Sequence, residues 1–354
     1  MAFGFYKQIT INHLQCGTVD SANWPLRIAV TDADLKVVGS GGSVQSSLGF
    51  DIRPFSDIGL TTALTFELVN YVSTTGQLEM YVKIPTLTVA TDVVIYLAFG
   101  DSGITTDGSS NTTWDTGFVG VYHFGRGSVI NLLDSSTKGN NGTNNGGVVA
   151  AGYEGGGVDL ISSSYIDISG LANYFGGKSQ LTVELDVKPT SPTGNATVLF
   201  TIGTLDVLFG ISNASPFFRL NNTLRDGVHG GLSPAVETPD NGYVESVWNR
   251  TVATVDGAAD THKIYRDGVQ KATATAVFDT FDPAAAGYVR LGLATSTVVG
   301  QYDELRISDV VRSPSWITAN ENNRKPSSTF LTFGTKTAVG GGAVGRSQSF
   351  IFVG

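Results

Sequence analysis

The chain has 354 residues, enough for two or three domains that each bury a core, and carries a net charge of −9 with only 15% charged residues. That balance leaves no electrostatic footprint for nucleic acid and no basic run for an anionic membrane. Cys16 is the sole cysteine, which excludes an internal disulfide and a Cys-based metal centre, and nowhere do 18 apolar residues run together as a membrane helix would need. Glycine, at 44 residues, is well above its usual share of about 7%, the profile of short strands and many turns. The opening MAFGFYKQITINH has no basic segment followed by an apolar one, so it is expected to enter a strand at once rather than to act as a secretory signal. Strands are then predicted at 6–12, 26–31, 64–71, 78–85 and 92–100, each bounded by Gly, Pro, Asn or Asp. In LEMYVKI, Leu78, Met80, Val82 and Ile84 share one face and Glu79, Tyr81 and Lys83 the other, so one face is expected to meet a core and the other water. DVVIYLAF is apolar on both faces and predicts a central strand.

The polar, glycine-rich stretch 100–112 separates this block from a second one, which places an N-terminal antiparallel β-sandwich at 1–113 and a second domain at 114–334. The second block begins with FVGVYHF (118–124), passes through the loop 132–147, and continues with YIDI (165–168), LTVELDVKP (181–189) and TVLFTIG (197–203). WNRTVATVDG (248–257) alternates as a strand, and KIYRDGVQK (263–271) is a hairpin, because Asp267-Gly268 supplies the positive φ that a tight turn requires. VRLGL (289–293) and GQYDELRIS (300–308) add two strands. SPSWITANENN (313–323) predicts one short helix, with Ser313 as cap and Pro314 in the first turn. TFLTFG (329–334) predicts the second domain's final strand, and 335–354 reads as a flexible glycine-rich linker and apolar tail. Phe350, Ile351, Phe352 and Val353 on that tether have the form of a docking arm, since an apolar strand edge needs covering.

The search for chemistry turns up little that could react. His13, His123, His229 and His262 stand in no HxH or HExxH spacing, no Gly-x-Ser-x-Gly elbow occurs, and no glycine-rich run is followed by Lys-Ser/Thr. Glu184 and Asp186 on LTVELDVKP approach the Glu-x-Asp-x-(x)-Glu strand of endoglycanases, but Lys188 or Pro189 stands where the second Glu belongs. The two acids are therefore expected to face outward from an amphipathic strand. Asp134, Asn140 and Asn141 in LLDSSTKGNNGT, with Asp303-Glu304 further on, form an oxygen-rich set of the kind calcium takes. The same residues also make ordinary side-chain-stabilised turns.

The loop DSSTKGNNGT (134–143), GGGVDLISSSYIDI (155–168), LTVELDVKP, WNRTVATVDG, the Asp-Gly hairpin and GQYDELRISDVVRS (300–313) together resemble the laminin-G-like family of the concanavalin A-like jelly roll. The N-terminal strands, with Tyr96 and Phe99-Gly100 ending the apolar strand, resemble an uncharacterised β-domain found before laminin-G-like domains in bacterial surface and tailed-phage proteins. The resemblance implies an all-β protein of two sandwiches that binds rather than reacts, with calcium as a cofactor carried over at Asp134 and Asp303 and at Asn141. No sugar-contacting residue carries over. The function it implies is a non-enzymatic structural protein of a tailed-phage virion (head decoration, head fibre or tail-associated), oligomeric, with capsid or tail proteins and host-surface glycans as partners. A bacterial surface adhesin or polysaccharide-binding protein is the alternative, ahead of a glycoside hydrolase.

Overall fold

The computed structural model describes residues 2–125, 129–153, 155–161, 163–190, 198–202, 205–214, 219–228, 235–237, 246–275, 287–292, 299–325 and 328–340. Four antiparallel sheets account for nearly all of its regular structure. In the first sandwich, Phe5–Ile11 lies between Leu331–Phe333 and Val93–Phe99, and Arg53–Phe55 extends the far edge. The opposing sheet places Gln77–Leu87 between Ser21–Thr31 and Phe66–Val72. Alternation sends Ile9, Ile11, Ile95, Leu97 and Phe99 from one sheet and Trp24, Leu26, Ile28, Met80 and Val82 from the other into a shared core.

The second sandwich pairs a ten-stranded sheet with a seven-stranded one. Leu181, Val183, Leu185 and Val187 on Gln180–Pro189, with Ala253, Val255, Tyr302, Leu305 and Ile307 on its neighbours, pack against Ile166, Val289 and Leu291 of the smaller sheet. The hairpin forms as expected: Asp267 and Gly268 take φ of 49° and 78° between Thr261–Arg266 and Val269–Thr275. Gly268 has a further reason to be glycine, since a Cβ there would stand 2.9 Å from Glu321 Cβ on the helix behind the turn.

That helix, Pro314–Arg324, starts where predicted, with Ser313 Oγ accepting from Trp316 N. It lies between the two sandwiches. Trp316 and Ala319 join the first core, while Ile317 packs on Val252 and Tyr265 of the second. Ser315 Oγ accepts from Thr18 N and Val19 N, and Arg312 grips Asp115 through two bonds of 2.6 and 2.7 Å while its guanidinium lies over the Phe118 and Trp316 rings.

Two expectations are corrected here. The 329–334 segment does not close the second domain: Leu331–Phe333 pairs with Phe5–Ile11 of the first. Nor is 335–354 a linker from its start, because Thr337–Ala338 pairs with Phe5 and Tyr6. Trp114, Phe118 and Val121 likewise belong to the first core. The physical reason is that Phe5–Ile11 would otherwise be an open edge, and the returning chain supplies its missing hydrogen bonds. The arm residues Phe350, Ile351, Phe352 and Val353 lie outside the described residues.

Candidate functional site

At its centre, Glu79 and Tyr81, the outward face of Gln77–Leu87 does not meet water. It meets the second sandwich, across a layer built almost entirely of charged and hydrogen-bonding groups. The first domain contributes a row in register across three strands, Arg27 opposite Tyr81 and Tyr81 opposite Glu67, with Glu79 nearby. From the second come two cross-strand pairs of opposite charge, Asp186 facing Arg250 and Glu184 facing Arg306. All are buried except Glu67, which is half-buried. Glu184 and Asp186 are thus corrected from solvent-facing acids to two of the most enclosed charges in the protein.

A bulge places the key acid. Glu184 pairs with Arg306 but Asp186 pairs with Asp303, so the Gly300–Ser308 strand gains residues opposite Leu185, and Glu304 takes φ of 50°. Tyr302 and Leu305 stay in the core, which frees Glu304 to reach the seam. Phe124 is also left-handed, at φ 52°, next to His123. Two strained non-glycine positions therefore flank one contact, His123 Nδ1 to Glu304 Oε1 at 2.5 Å.

From that contact the network spreads. Tyr81 OH donates to Glu304 Oε2 (2.9 Å), and Arg306 Nη2 donates to both that oxygen (2.8 Å) and Tyr81 OH (2.7 Å). His123 Nε2 lies 3.4 Å from Glu67 Oε2, which also accepts from Trp114 Nε1, while Ser135 Oγ donates to Oε1. Arg250 donates to Glu184 at 2.7 Å and Asp186 at 3.2 Å, Asn320 donates to Glu184, and Arg324 Nη1 stands 3.4 Å from Asp186. Arg27 donates twice to Glu79 Oε1, at 3.1 and 2.8 Å.

Burial would push the His123 ring down, but Glu304 and Glu67 overcome it and hold it at about 10, so the ring is an imidazolium at neutral pH. Burial would likewise raise Glu304, yet His123 and Arg306 keep it well below the usual carboxylate range, and Glu67 and Glu184 are lowered against burial by His123 and by Arg250. Glu321, in contrast, is raised by burial, with Arg324 opposing.

A small cavity lined by Pro25, Tyr81, Asp186, Arg250, Arg306 and Asn320 has room for about one water. A sugar ring does not fit there, and Arg250 holds the Glu184 carboxyl below its usual range, away from the protonated form that a glycosidase acid needs. The Glu184-x-Asp186 strand is closed over by Asn320 and Arg324. Where the seam reaches the surface it opens into a polar cleft of about 410 Å³ between Gln77–Leu87, the end of the helix and Leu331–Phe333.

The calcium set is not brought together. Asp134 and Asn141 do meet, through Asp134 N donating to Asn141 Oδ1 at 2.9 Å. The Asp134 carboxylate, however, already accepts from Val121 N, Ser136 N, Ser136 Oγ and Asn140 N, which occupies both oxygens in closing its own loop. Asp303 is buried on another strand, where its Oδ1 accepts from Glu304 N. Among the described residues no group of three or more His, Cys, Asp or Glu side chains could hold a metal ion, and the 134–141 loop does not fit calcium as folded. Sequence reasoning missed His123, Glu67, Tyr81, Arg250 and Arg306. The signal available was the concentration of charge on a few strands of a charge-poor chain.

Among the described residues, two large antiparallel sheets of ten and seven strands pack face to face around one core, the architecture of a β-sandwich. Residues 161–318 match the family model Laminin_G_3, described as the concanavalin A-like lectin/glucanases superfamily, so this part of the chain is a laminin-G-like domain. Among solved structures, domain 4 of AbnA, a GH43 extracellular arabinanase from Geobacillus stearothermophilus solved with arabinotriose, is 23% identical (57% of this chain, 96% of that one, TM-score 0.44). The CBM40 of the Ruminococcus gnavus IT-sialidase bound to α2,3-sialyllactose is 16% identical (47% and 96%, TM-score 0.39). The binding domain of botulinum neurotoxin DC with SialylT is 12% identical (60% and 52%, TM-score 0.41). No curated protein matches the chain.

Proposed function

We propose that the chain is a non-enzymatic glycan-binding structural module, displayed on the virion of a tailed phage as a head decoration, head fibre or tail-associated part. The observation that carries glycan binding is the family match over 161–318, to a superfamily of lectins and glucanases, and the enclosure of the Glu184-x-Asp186 strand supports the lectin side of that description. The virion setting rests on the resemblance of the N-terminal strands to the β-domain that precedes laminin-G-like domains in phage and bacterial surface proteins. A ligand-bearing domain locked to its neighbour through a buried seam suits display on a particle, where orientation matters. Capsid or tail proteins are its assembly partners in this reading, and 350–353 supplies the docking contact.

Two measurements test it. A glycan array probed with the full chain, with and without chelator, is expected to retain at least one glycan family; retention of none removes the binding role. Antiserum against the chain is expected to decorate tailed particles in electron micrographs. Labelling of bacterial cell surfaces in their place would transfer the module to an adhesin.

A further inference from the structure

Resting on that glycan-binding reading, we infer that the ligand carries a carboxylate, as a uronic or sialic sugar does, and that Arg290 holds it end-on at the outward face of the seven-stranded sheet. That sheet is the layer of the second sandwich turned away from the seam, since the buried charges of the seam stand on the ten-stranded one.

Alternation builds the site. Val289 and Leu291 on Gly287–Leu291, and Ile166 on Tyr165–Asp167, belong to the core, so Tyr288, Arg290, Tyr165 and Asp167 stand on the outward face. Arg290 pairs across the ladder with Asp167. Tyr288 comes two residues before Arg290, and Tyr165 two before Asp167 on the antiparallel neighbour, so the rings flank Arg290 from opposite directions along the strands. The guanidinium carbon lies 4.3 Å from the centre of the Tyr288 ring and 4.6 Å from that of Tyr165. These two cation–π contacts hold a side chain that is flexible by itself.

The remaining edges of the guanidinium decide what binds. Arg290 Nε donates to Asp167 Oδ2 at 3.3 Å, while Asp167 Oδ1 accepts from Ser169 N and Ser169 Oγ at 2.9 and 2.5 Å. Asp167 therefore fixes the guanidinium from its side and leaves the tip open. Among the described residues neither Nη1 nor Nη2 donates to any group, and the Arg290 side chain is 25% exposed. The phenol oxygens of Tyr165 and Tyr288, on two half-buried side chains, likewise bond nothing among the described residues. Two parallel donors at the tip of a planar cation complement a carboxylate, whose two oxygens accept both in one plane. Phenol hydroxyls beside them suit the ring hydroxyls that accompany a sugar acid. A pair of sugar hydroxyls is a weaker partner for the fork, because neither oxygen is charged. The chain's net charge of −9 opposes an anion at long range only, and is screened beyond about 8 Å at physiological salt.

The test uses the full chain on an array of neutral, sialylated, uronic and phosphate-bearing glycans, with free glucose, glucuronate and inorganic phosphate as competitors. Calorimetric titration of the best glycan follows. Arg290→Lys keeps the charge and removes the fork, Tyr288→Phe keeps the ring and removes one hydroxyl, and Lys138→Ala on the jelly-roll loop is the control; thermal melting shows that each is folded. We expect carboxylated glycans to be retained, and glucuronate to compete where glucose does not. Arg290→Lys should bind about tenfold more weakly, Tyr288→Phe about threefold, and the control as the wild type. Wild-type affinity in Arg290→Lys, or loss in Lys138→Ala alone, overturns the site and leaves glycan binding standing. Retention of neutral glycans only, or competition by phosphate and not by glucuronate, overturns the carboxylate. Retention of nothing removes glycan binding itself, and this site with it.

Discussion

Replacing His123 with Gln removes the one titrating cation from a layer that is otherwise Arg against Glu and Asp. The imidazolium is 7% exposed and stands between Glu304 and Glu67. Its rise from the usual 6.5 to about 10 corresponds to about 5 kcal/mol of preference for the charged ring. Removing one partner of a buried ion pair costs about 3–5 kcal/mol by an independent route, so His123→Gln should lose that much. The two figures describe the same contacts and do not add. Because the folded value lies above the unfolded one, the contribution is complete below pH 6.5 and fades by about 1.4 kcal/mol per pH unit as pH climbs toward 10. Urea unfolding of wild type and variant at pH 6.0 and 9.5 reads both quantities. The gap between them should be widest at pH 6.0 and nearly closed at pH 9.5. A gap below 1 kcal/mol at pH 6.0, or one of equal size at both pH values, would refute the reasoning.

Other expectations follow from the same geometry. Arg250→Met leaves Glu184 and Asp186 enclosed without their strongest partner and should cost about 3–5 kcal/mol in denaturant unfolding; a loss under 1 kcal/mol would mean that Arg324 and Asn320 suffice. Gly268→Ala meets both a φ of 78° and the Glu321 side chain, and should cost about 1–3 kcal/mol, whereas Asp267→Asn, which tolerates the left-handed region, should cost less. Millimolar calcium should move the melting temperature by less than about 2 °C, because the Asp134 oxygens are occupied; a larger rise, lost in Asp303→Asn, would place a cation at the other acid. Calorimetry should show one transition, since Trp316 and Ile317 anchor the same helix in both cores; two separated peaks would show that the seam adds little coupling.

Much of the fold is legible in the chain itself. The Asp267-Gly268 turn, the Ser313-Pro314 start of the helix and the period-two strands all report local chemistry, and each is where its residues require. The seam is not legible, for a definite reason. Glu79, Tyr81 and Lys83 alternating with Leu78, Met80, Val82 and Ile84 state only that one face is polar. Whether a polar face meets water or a complementary polar face depends on another strand more than 200 residues away, the one bearing Glu304 and Arg306. The bulge that turns Glu304 into the seam leaves no composition cue either, as Asp303-Glu304 reads like any acidic pair. TFLTFG is a sound strand wherever it pairs, and only the open edge of Phe5–Ile11 decides where.

The pairing of Phe5 with Ala338 also has a mechanical meaning. The described chain leaves and re-enters the first sandwich through neighbouring strands, so tension applied at its two ends is carried by Phe5–Ile11, Thr337–Ala338 and Leu331–Phe333, peeled pair by pair. The laminin-G-like domain lies in the loop that those pairs close and stays slack until they part. Force applied through either end can therefore be borne by these pairs without passing through the domain that carries the laminin-G-like fold.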